Sequence, residues 1–562
     1  MDGNFPRLPP ACEGKGNQEE QGARMTGKLL ALFLLVGLTV VHAEDWPTYR
    51  HDNRRSGVSA EQLPAQLKET WVYKSPIPPQ TAWSGPAKWD AYSGNKDLQS
   101  MRNFDPAFFV TSVGKDVYFG SSVDNAVHCL DAETGKERWV FFTDSAVRFP
   151  PAAAHGKLYF GSDDGHAYCI DAKSAKEIWR YRPILDKRHT PSNGKLISLW
   201  PCRTGVLIEG NLAYFGASML PWETSYLCAV DAKTGKPEGT GCFETSQTKV
   251  TLQGALLASS DSLYVPQGRA APLVFEKATG KRRGSIPDAG GTYCLLTEDD
   301  QLISGPHNQK AKDQVLRVAD GGKRSHLLTF QGTNRMLVNK RYAYLHQGEN
   351  LTALDRISYV SLQGEKRELL SQQAKIAKQM KSRQKAQASK AAIYLASSAD
   401  LQAEQQKLLG KLEAIAKELK TKEKDQSLKE DPEKTNPSPS PDLKAEQKQL
   451  LARQAVLAKE LKSREQDRAW KAEHAELGKR VQRITASLPK SFKWKTHCEH
   501  PIGFAMGGNT LYVGGDGIVK AYNASNGEQQ WSAKIEGKGY GLAISNGRLL
   551  VSTDKGYIHC FK

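Results

Sequence analysis

Two patterns of apolar and polar positions take turns along this chain. The first is made of short apolar runs cut by turn residues. Leu158, Tyr159 and Phe160 form an apolar strand, Asp164-Gly165 is a hairpin signal, and Ala167 to Ile170 follow as a second strand. The preceding copy then shows the turn Asp-Ala-x-Thr-Gly-Lys, in which Gly135 can adopt positive φ and the Asp131 and Thr134 side chains can bond local amides. Trp139 opens an outer strand after it. The two copies read DVYFGSSVDNAVHCLDAETGKERWVF and KLYFGSDDGHAYCIDAKSAKEIWRY, and Asp131 and Asp171, like Trp139 and Trp179, lie forty residues apart. That spacing is the period of a propeller blade or a similar solenoid unit.

Weaker copies continue the first pattern. A third runs from Arg203 to Glu244, with Asp231, Gly235 and, in place of the tryptophan, Phe243. A fourth spans Leu252 to Ile286 and a fifth Thr292 to Phe330, where the turn degrades to Asp320-Gly321-Gly322-Lys323. A sixth starts at Asn334 and reaches Asp355, where the second pattern takes over. Leu362, Leu369, Ile376 and Met380, then Leu401, Leu408, Leu412, Ile415 and Leu419, fall at heptad spacings with Lys, Glu and Gln between them. Four prolines within KEDPEKTNPSPSPD break this helical run, and a return helix carries Leu443, Leu450, Leu457, Leu461, Leu477, Val481, Ile484 and Leu488. PKSFKWKTHC then supplies the outer strand that the sixth copy lacked, with Trp494, so the hairpin is inserted between the third and fourth strands of one repeat. A seventh copy runs from Gly503 to Ile535 and includes Trp531, and Tyr540 to Lys562 gives three strands with no tryptophan strand after them. Leu67 to Tyr73, with Trp71, is a tryptophan strand with no three strands before it, so the two ends are expected to complete one unit.

From Cys129 to Trp139 the order small residue, x, Asp, x, x, Thr, Gly, Lys, x, x, Trp resembles the tryptophan-docking repeat of quinoprotein (PQQ-type) β-propellers. A WD40 propeller is the rival, but its Trp-Asp pair and Gly-His opening are absent. The resemblance implies an all-β β-propeller with tryptophan-docking repeats; counting the units, with the terminal composite as one, gives eight blades, and the heptads add an inserted α-helical antiparallel coiled-coil hairpin. It gives Trp71, Asp131, Gly135, Trp139, Asp171, Trp179, Asp231, Gly235, Trp494 and Trp531 structural docking roles. EDWPTYRHDNRRSGVS is similar to the opening segment of exported bacterial members of this group, where Trp46, Arg50, Asp52 and Gly57 would pack on the disc.

Composition and the ends add a compartment. Residues 25 to 43 carry Lys28, a thirteen-residue apolar run and a Val-His-Ala exit, the layout of a secretory signal with cleavage after Ala43. The run is short of the roughly 20 residues a spanning helix needs, so no spanning helix is expected in the mature chain. Residues 1–24 are polar and Met25 makes a more usual signal start, so 1–24 have the look of a mis-assigned start. The expected organisation is 1–43 signal, 44–361 propeller with its clasp strand, 362–488 coiled-coil insertion and 489–562 propeller completion. The location is the periplasm or cell envelope. Among 562 residues are nine cysteines, with no CxxC and no adjacent pair. Cys129, Cys169, Cys228 and Cys560 recur at one strand position and read as small core residues, whereas Cys202 with Cys242 is the one pair offered as a disulfide.

Charge and chemistry narrow the function without naming it. The net charge is +17, and 362–488 hold 27 Lys/Arg against 18 Asp/Glu; export and mixed i,i+4 charges favour a solvated helix over nucleic acid. Arg50, His51, Arg54 and Arg55 read either as an anion site or as a cap held by salt bridges, and the cap is favoured. Arg50 and Asp52 of the opening segment, Trp83, Trp89 and Arg102 of the loop 75–106, and Trp200 and Arg203 of the insertion 189–205 are the candidate binding face, although aromatic loop residues more often plug a propeller channel. Asp163-Asp164 and Asp299-Asp300 are expected in solvated turns and not at a metal. His497, Cys498 and His500 fit no standard metal spacing. No catalytic residue and no cofactor are predicted. The expected function is a non-catalytic scaffold for cell-envelope proteins, engaged through the hairpin, similar to outer-membrane-assembly propellers. The alternative implied by the resemblance is a PQQ- and calcium-dependent alcohol or sugar dehydrogenase, for which neither a vicinal cysteine pair nor a calcium-ligand motif is found.

Overall fold

The computed structural model describes residues 43–83, 103–268, 270–305, 315–388, 397–427, 441–499 and 502–562. Most of the chain is β structure arranged in a propeller-like fold. Six four-stranded antiparallel sheets follow one another. The first comprises Val110–Val113, Asp116–Ser121, Ala126–Asp131 and Glu137–Phe142. The second runs from Ala152–Ala154 to Glu177–Tyr181, the third from Leu207–Glu209 to Phe243–Gln247, and the fourth from Leu257–Ala258 to Arg282–Ser285. The fifth runs from Tyr293–Leu296 to Ser325–Gln331; the sixth takes Thr333–Asn339, Tyr342–Gln347 and Asn350–Asp355 before the helices and Phe492–His497 after them. An eight-stranded sheet holds the two ends together, because Glu69–Lys74 pairs antiparallel with Tyr557–Phe561 and sets Trp71 opposite Cys560. This pairing also covers the open edge of the last strand.

Alternation along each strand buries one set of side chains against the preceding sheet and the other against the next. The cores therefore straddle sheet pairs. Leu158, Ile170 and Tyr118 join the first and second sheets, Tyr159, Trp179 and Phe215 the second and third, and Leu263, Phe275 and Tyr214 the third and fourth. Trp71, Phe119, Ile544 and Trp531 join the eight-stranded sheet to the first, which completes the circuit.

The outer strands show why the repeat needs its tryptophan and glycine. Trp71 Nε1 donates to the Ala132 carbonyl at 2.9 Å, Trp179 to Ala232 at 3.0 Å, Trp494 to Ala524 at 2.9 Å and Trp531 to Leu67 at 2.8 Å. The first three indole N–H groups thus each satisfy a carbonyl in a turn of the neighbouring sheet, and that of Trp531 satisfies the carbonyl just before the strand Glu69–Lys74, while each ring covers apolar area. The ring lies so close that a Cβ on Gly235 would stand 2.5 Å from Trp179, and the positive φ of 73° at Gly235 is itself costly for any other residue. Trp139 departs from this pattern. It is half-buried, makes no indole hydrogen bond among the described residues, and packs with Ala172 in a turn where Ala175 holds the left-handed position at φ 56°. Between the fifth and sixth sheets no tryptophan docks among the described residues. Tyr359 takes that place, stacking on Phe330 at 5.8 Å and meeting Phe492 edge-on at 5.7 Å.

Tyr359 belongs to the first of three helices, α1 (Arg356–Ala388), α2 (Ser398–Ser427) and α3 (Pro441–Ser487). α1 starts directly after the third strand of the sixth sheet, ahead of Leu362. The first helical arm, expected as one run, holds two helices; residues 389–396 between them and 428–440 before α3 lie outside the described residues. Leu369 and Ile376 of α1 pack on Leu477 and Ile484 of α3, and Leu401 and Leu408 of α2 pack on Leu457, which is fully buried. These apolar positions keep the seven-residue spacing of the sequence. No helix among the described residues is long and apolar enough to cross a membrane.

Two expectations need correction here. Cys202 and Cys242 are not bridged: Cys202 is buried in the core between the second and third sheets, Cys242 sits half-exposed outside that core, and all eight described cysteines are free thiols. The Asp163-Asp164 pair is not a solvated turn. Asp163 is 1% exposed and Asp164 8%, because the β-hairpin that carries them is roofed by the chain that follows the second sheet.

Candidate functional site

The segment after Ala43 forms a cap over the beginnings of several sheets, and its arginines divide the work. Arg55 is buried and spends its guanidinium on Leu256 O at 2.8 Å, Thr48 Oγ1 at 2.9 Å and two further carbonyls. Burial pulls its pKa down to about 10. Arg54 pairs with Asp300 at 2.9 Å, and His51 faces Glu44 at 3.2 Å. Asp52 is a local clamp, accepting from the Arg54 and Ser56 amides at 2.9 and 3.0 Å and from Ser56 Oγ at 2.6 Å. Burial alone would raise its pKa, but His51 and Ser56 outweigh that and hold the carboxyl below its ordinary range. Three of these four basic residues are therefore cap. Arg50 is different: its guanidinium reaches Tyr293 Oη at 3.2 Å and sits 4.6 Å over the Tyr293 ring.

That contact lies in a cavity of about 60 Å³ lined by Trp46, Tyr49, Arg50, Tyr293, Arg335 and Tyr540, among others. Tyr293, Arg335 and Phe504 each stand at the beginning of the first strand of their sheet. Arg335 lies on the Tyr293 ring at 5.0 Å, so two guanidiniums share one phenol ring. Neither Arg335, Tyr293 nor Tyr540 was singled out from sequence. The available signal is positional: residues near the start of the first strands of several repeats, Val110, Tyr293, Arg335 and Phe504, line this cavity, and the fold brings together residues more than two hundred positions apart.

The loop and insertion residues form a second centre, which is closed. Arg148 donates to Asp105 at 2.6 Å and to Asp163 at 2.7 Å, and Arg203 reaches both carboxylate oxygens of Asp163 at 2.8 and 2.9 Å. Burial would push the Asp163 carboxyl up; the Arg148 and Arg203 guanidiniums prevail and hold it at about 2. Burial raises Asp105 instead. Asp105 also accepts from the Ala82 amide at 2.9 Å, Trp83 Nε1 donates to Gln253 Oε1 at 2.7 Å, and Arg203 lies 5.6 Å from the Trp83 ring. This network fastens the loop to the sheets.

Of the candidate binding face, Arg203 and Trp200 are accordingly internal, 1% and 2% exposed, with the Trp200 indole donating to Thr224 O at 2.8 Å. They present no surface to a partner, because Arg203 is held by Asp163 and faces the Trp83 ring, while the Arg188 guanidinium lies 4.8 Å over the Trp200 ring. Arg50 lines the cavity, Asp52 and Trp83 are engaged as described, and Trp89 and Arg102 lie outside the described residues. At the HCEH stretch His497 makes an exposed pair with Glu499 at 3.3 Å, His500 lies outside the described residues, and no metal-ligating group of three occurs among the described residues. Asp299 and Asp300 sit in a hairpin turn and carry ion pairs, to Arg356 and Arg54.

Known proteins match this chain at the level of family. The family model described as outer membrane protein assembly factor BamB matches residues 82–238, 123–358 and 465–562. No curated protein sequence matches. Among solved structures, BamB from Moraxella catarrhalis aligns at 10% identity over 88% of this chain and 99% of its own, with a TM-score of 0.40. A quinohemoprotein alcohol dehydrogenase from Pseudomonas putida HK5 aligns at 12% identity over 92% of this chain and 80% of its own, with a TM-score of 0.47. A europium-containing methanol dehydrogenase aligns at 10% identity over 90% and 89%, with a TM-score of 0.46.

Proposed function

The chain belongs to the outer membrane protein assembly factor BamB family of PQQ-type repeat propellers, and from that premise we propose that it is a non-catalytic scaffold that holds cell-envelope proteins through its helices. The proposed architecture is an eight-bladed ring, 44–361 with 489–562, bearing a coiled-coil hairpin over 362–488. Support for eight comes from the six four-stranded sheets and from the eight-stranded sheet, whose long strand Gln529–Ser545 shifts register between Gly539 and Gly541 and serves two four-stranded antiparallel halves, the first of which also carries the parallel strand Val58–Ser59. Residues 1–43 are the proposed export signal, with the mature protein beginning at Glu44 in the periplasm or cell envelope.

One observation carries the scaffold reading: the apolar clusters of the helices contain helix residues alone. Beyond the first turns of α1, the hairpin is held by its own seam and leaves its outer faces to solvent. α3, at 47 residues, extends roughly 70 Å at 1.5 Å per residue. An arm of that reach, mounted on a closed ring, suits spacing and capture and supplies no chemistry.

The oxidoreductase alternative is weaker on the residues present. Calcium takes six to eight oxygens, several from carboxylates, whereas among the described residues the cavity near the strand beginnings is lined by two arginines and no Asp or Glu. The residues do not fit that cofactor pair. The deciding experiment uses two arms. Full-length protein and a variant lacking 362–488 are compared for cross-linked partners in an envelope fraction, with loss of the specific cross-links expected in the variant. The full chain is also incubated with PQQ and calcium, and a quinone absorbance with dye-linked dehydrogenase activity overturns the reading.

A further inference from the structure

Glu44 is held at its nitrogen, its carbonyl and its carboxylate. The nitrogen donates to Glu61 Oε2 at 3.1 Å, the carbonyl accepts from the Asn546 amide at 3.2 Å, and the carboxylate accepts from Ser59 Oγ at 2.6 Å and from the Ala60 amide at 2.7 Å. The two residues after it are stitched as firmly. Asp45 Oδ1 accepts from the Gly114 amide and from Asn546 Nδ2, each at 2.8 Å, and Trp46 exchanges two backbone hydrogen bonds with Ser112 at 2.8 and 2.9 Å. Chain ends are poorly ordered unless something ties them down. Here three consecutive residues are tied, and Ala43, immediately before them, is exposed.

Glu61 is the partner that matters. It is 1% exposed, and its carboxylate collects three backbone amides, those of Glu44, of Asn546 at 2.9 Å and of Gly547. Asn546 and Gly547 are successive left-handed residues, at φ 52° and 78°, in the turn between the strands Gln529–Ser545 and Arg548–Thr553, and their amides cup the one carboxylate. Hydrolysis of the Ala43–Glu44 bond changes the third donor. Water gives its hydroxyl to the Ala43 carbonyl carbon, the C–N bond breaks, Ala43 departs as a carboxylate, and the Glu44 nitrogen takes up the protons and becomes an ammonium. A nitrogen that is a neutral amide in the precursor thus gains a full charge where it is already placed, beside Glu61 Oε2. Hydrogen bonds between charged partners are roughly twice as strong as neutral ones.

We propose that Glu61 is a binding site for the processed amino terminus: the α-ammonium of Glu44 pairs with the buried carboxylate and locks residues 44–46 across the junction of the closing sheet and the first sheet. This rests on the proposed cleavage after Ala43. The consequence is directional. Asn546 and Gly547 belong to the eight-stranded sheet, and Ser112 and Gly114 to the first strand of the first sheet and its turn. The precursor therefore closes its ring with a neutral hydrogen bond where the mature chain has an ion pair, and processing by a signal peptidase completes the closure after export.

The test exports the full chain in a bacterial host and identifies the first residue of the product by intact mass and amino-terminal sequencing. A first residue other than Glu44 overturns the cleavage reading and this proposal with it. A second chain carries Gly-Ser inserted between Ala43 and Glu44, so that the same cleavage puts the ammonium on the inserted glycine and leaves an amide at Glu44. Its melting temperature should fall by several degrees. Glu61→Gln should lower melting more in the unaltered chain than in the inserted one, a difference that a purely steric role of the terminus does not produce. Acetylation of the α-amine at neutral pH, followed by mass spectrometry, should be at least tenfold slower at Glu44 than at the inserted glycine, and it decides the matter if Glu61→Gln does not fold. With Glu44 shown to be first, equal melting of the two chains, an equal loss on Glu61→Gln in both, or equal acetylation rates overturns the ion pair and leaves the cleavage reading standing.

Discussion

Asp355 Oδ1 accepts a hydrogen bond from the Ser358 amide at 3.2 Å, and this i to i+3 contact is the one that Asp131 makes with Thr134 at 2.9 Å and Asp231 with Thr234 at 2.8 Å. In the ordinary repeats the carboxylate closes a tight turn and the chain goes straight into the tryptophan strand. At Asp355 the same contact caps the first turn of α1. A helix N-cap and an Asx turn use one geometry, a side-chain oxygen on an amide two or three residues ahead. A helical arm can therefore sprout from a docking turn without disturbing the strand before it.

Grafting follows from that equivalence. Replacing residues 356–491 with the turn Ala232 to Lys236 of the third sheet should rejoin Asp355 to the strand Phe492–His497 and leave a folded ring. Circular dichroism should show the loss of nearly all helical signal with a cooperative β transition retained. The variant forfeits Tyr359, so its melting point should fall by several degrees; restoring the missing docking with Leu328→Trp should recover part of it.

At the second sheet the docking turn is imperfect and can be repaired. Ala175 occupies the left-handed position at φ 56° that is glycine in the first and third sheets. Ala175→Gly should stabilise the protein by about 1 kcal/mol by removing that strain, and should quench or blue-shift the Trp139 fluorescence as the indole moves onto the turn. The reverse change, Gly235→Ala, should cost roughly 2 kcal/mol or more, because strain and a 2.5 Å approach to Trp179 act together. Chemical denaturation of both variants measures the pair.

The ring was legible in sequence because its devices are local. Asp131, Gly135 and Trp179 declare themselves within one turn or one strand, and the missing strands before Trp71 pointed to the far terminus. Heptad leucines such as Leu369 and Leu477 exposed the helical seam in the same way. What stayed hidden depends on contacts between repeats. Arg203 looked like a loop residue offered to a partner, and only the fold brings Arg148 and Asp163 around it. Tyr359 carries no mark of docking, since its role arises from the sheet that α1 happens to follow. Arg335 and Tyr293 acquire meaning from the circuit of first strands, which no short window contains.

Acid should loosen the closed network in a defined interval. The folded Asp163 carboxyl sits at about 2 against an ordinary 3.8, so it contributes stability that is fully present above the unfolded value and is lost as pH falls from about 4 towards 2. The shift corresponds to about 2 kcal/mol. Asp105 is shifted the other way by burial, so its contribution runs in the opposite sense, present at low pH and lost as pH rises through its folded value. Asp163→Asn should lower stability at neutral pH by roughly 3 kcal/mol, since it leaves two buried guanidiniums short of charge, and should flatten the melting curve against pH between 4 and 2. A wild-type slope that survives in the variant would assign the acid response elsewhere.

The helical seam should melt apart from the ring. Leu457 of α3 is fully buried between Leu401 and Leu408 of α2, and the cluster that contains it includes no strand residue. Leu457→Ala removes the centre of that contact and should cost about 2 to 4 kcal/mol where it acts. Because the two apolar networks are separate, the loss should appear in the helical band at 222 nm as an earlier transition, while tryptophan fluorescence from Trp71, Trp179 and Trp531 in the ring keeps its midpoint. Hydrogen exchange gives the same discrimination by residue, with α2 and the facing part of α3 losing protection and Val117, Leu158 and Leu550 retaining it. A single transition that moves in both signals would mean that ring and hairpin unfold as one cooperative unit, with the docking of Tyr359 on Phe330 coupling them.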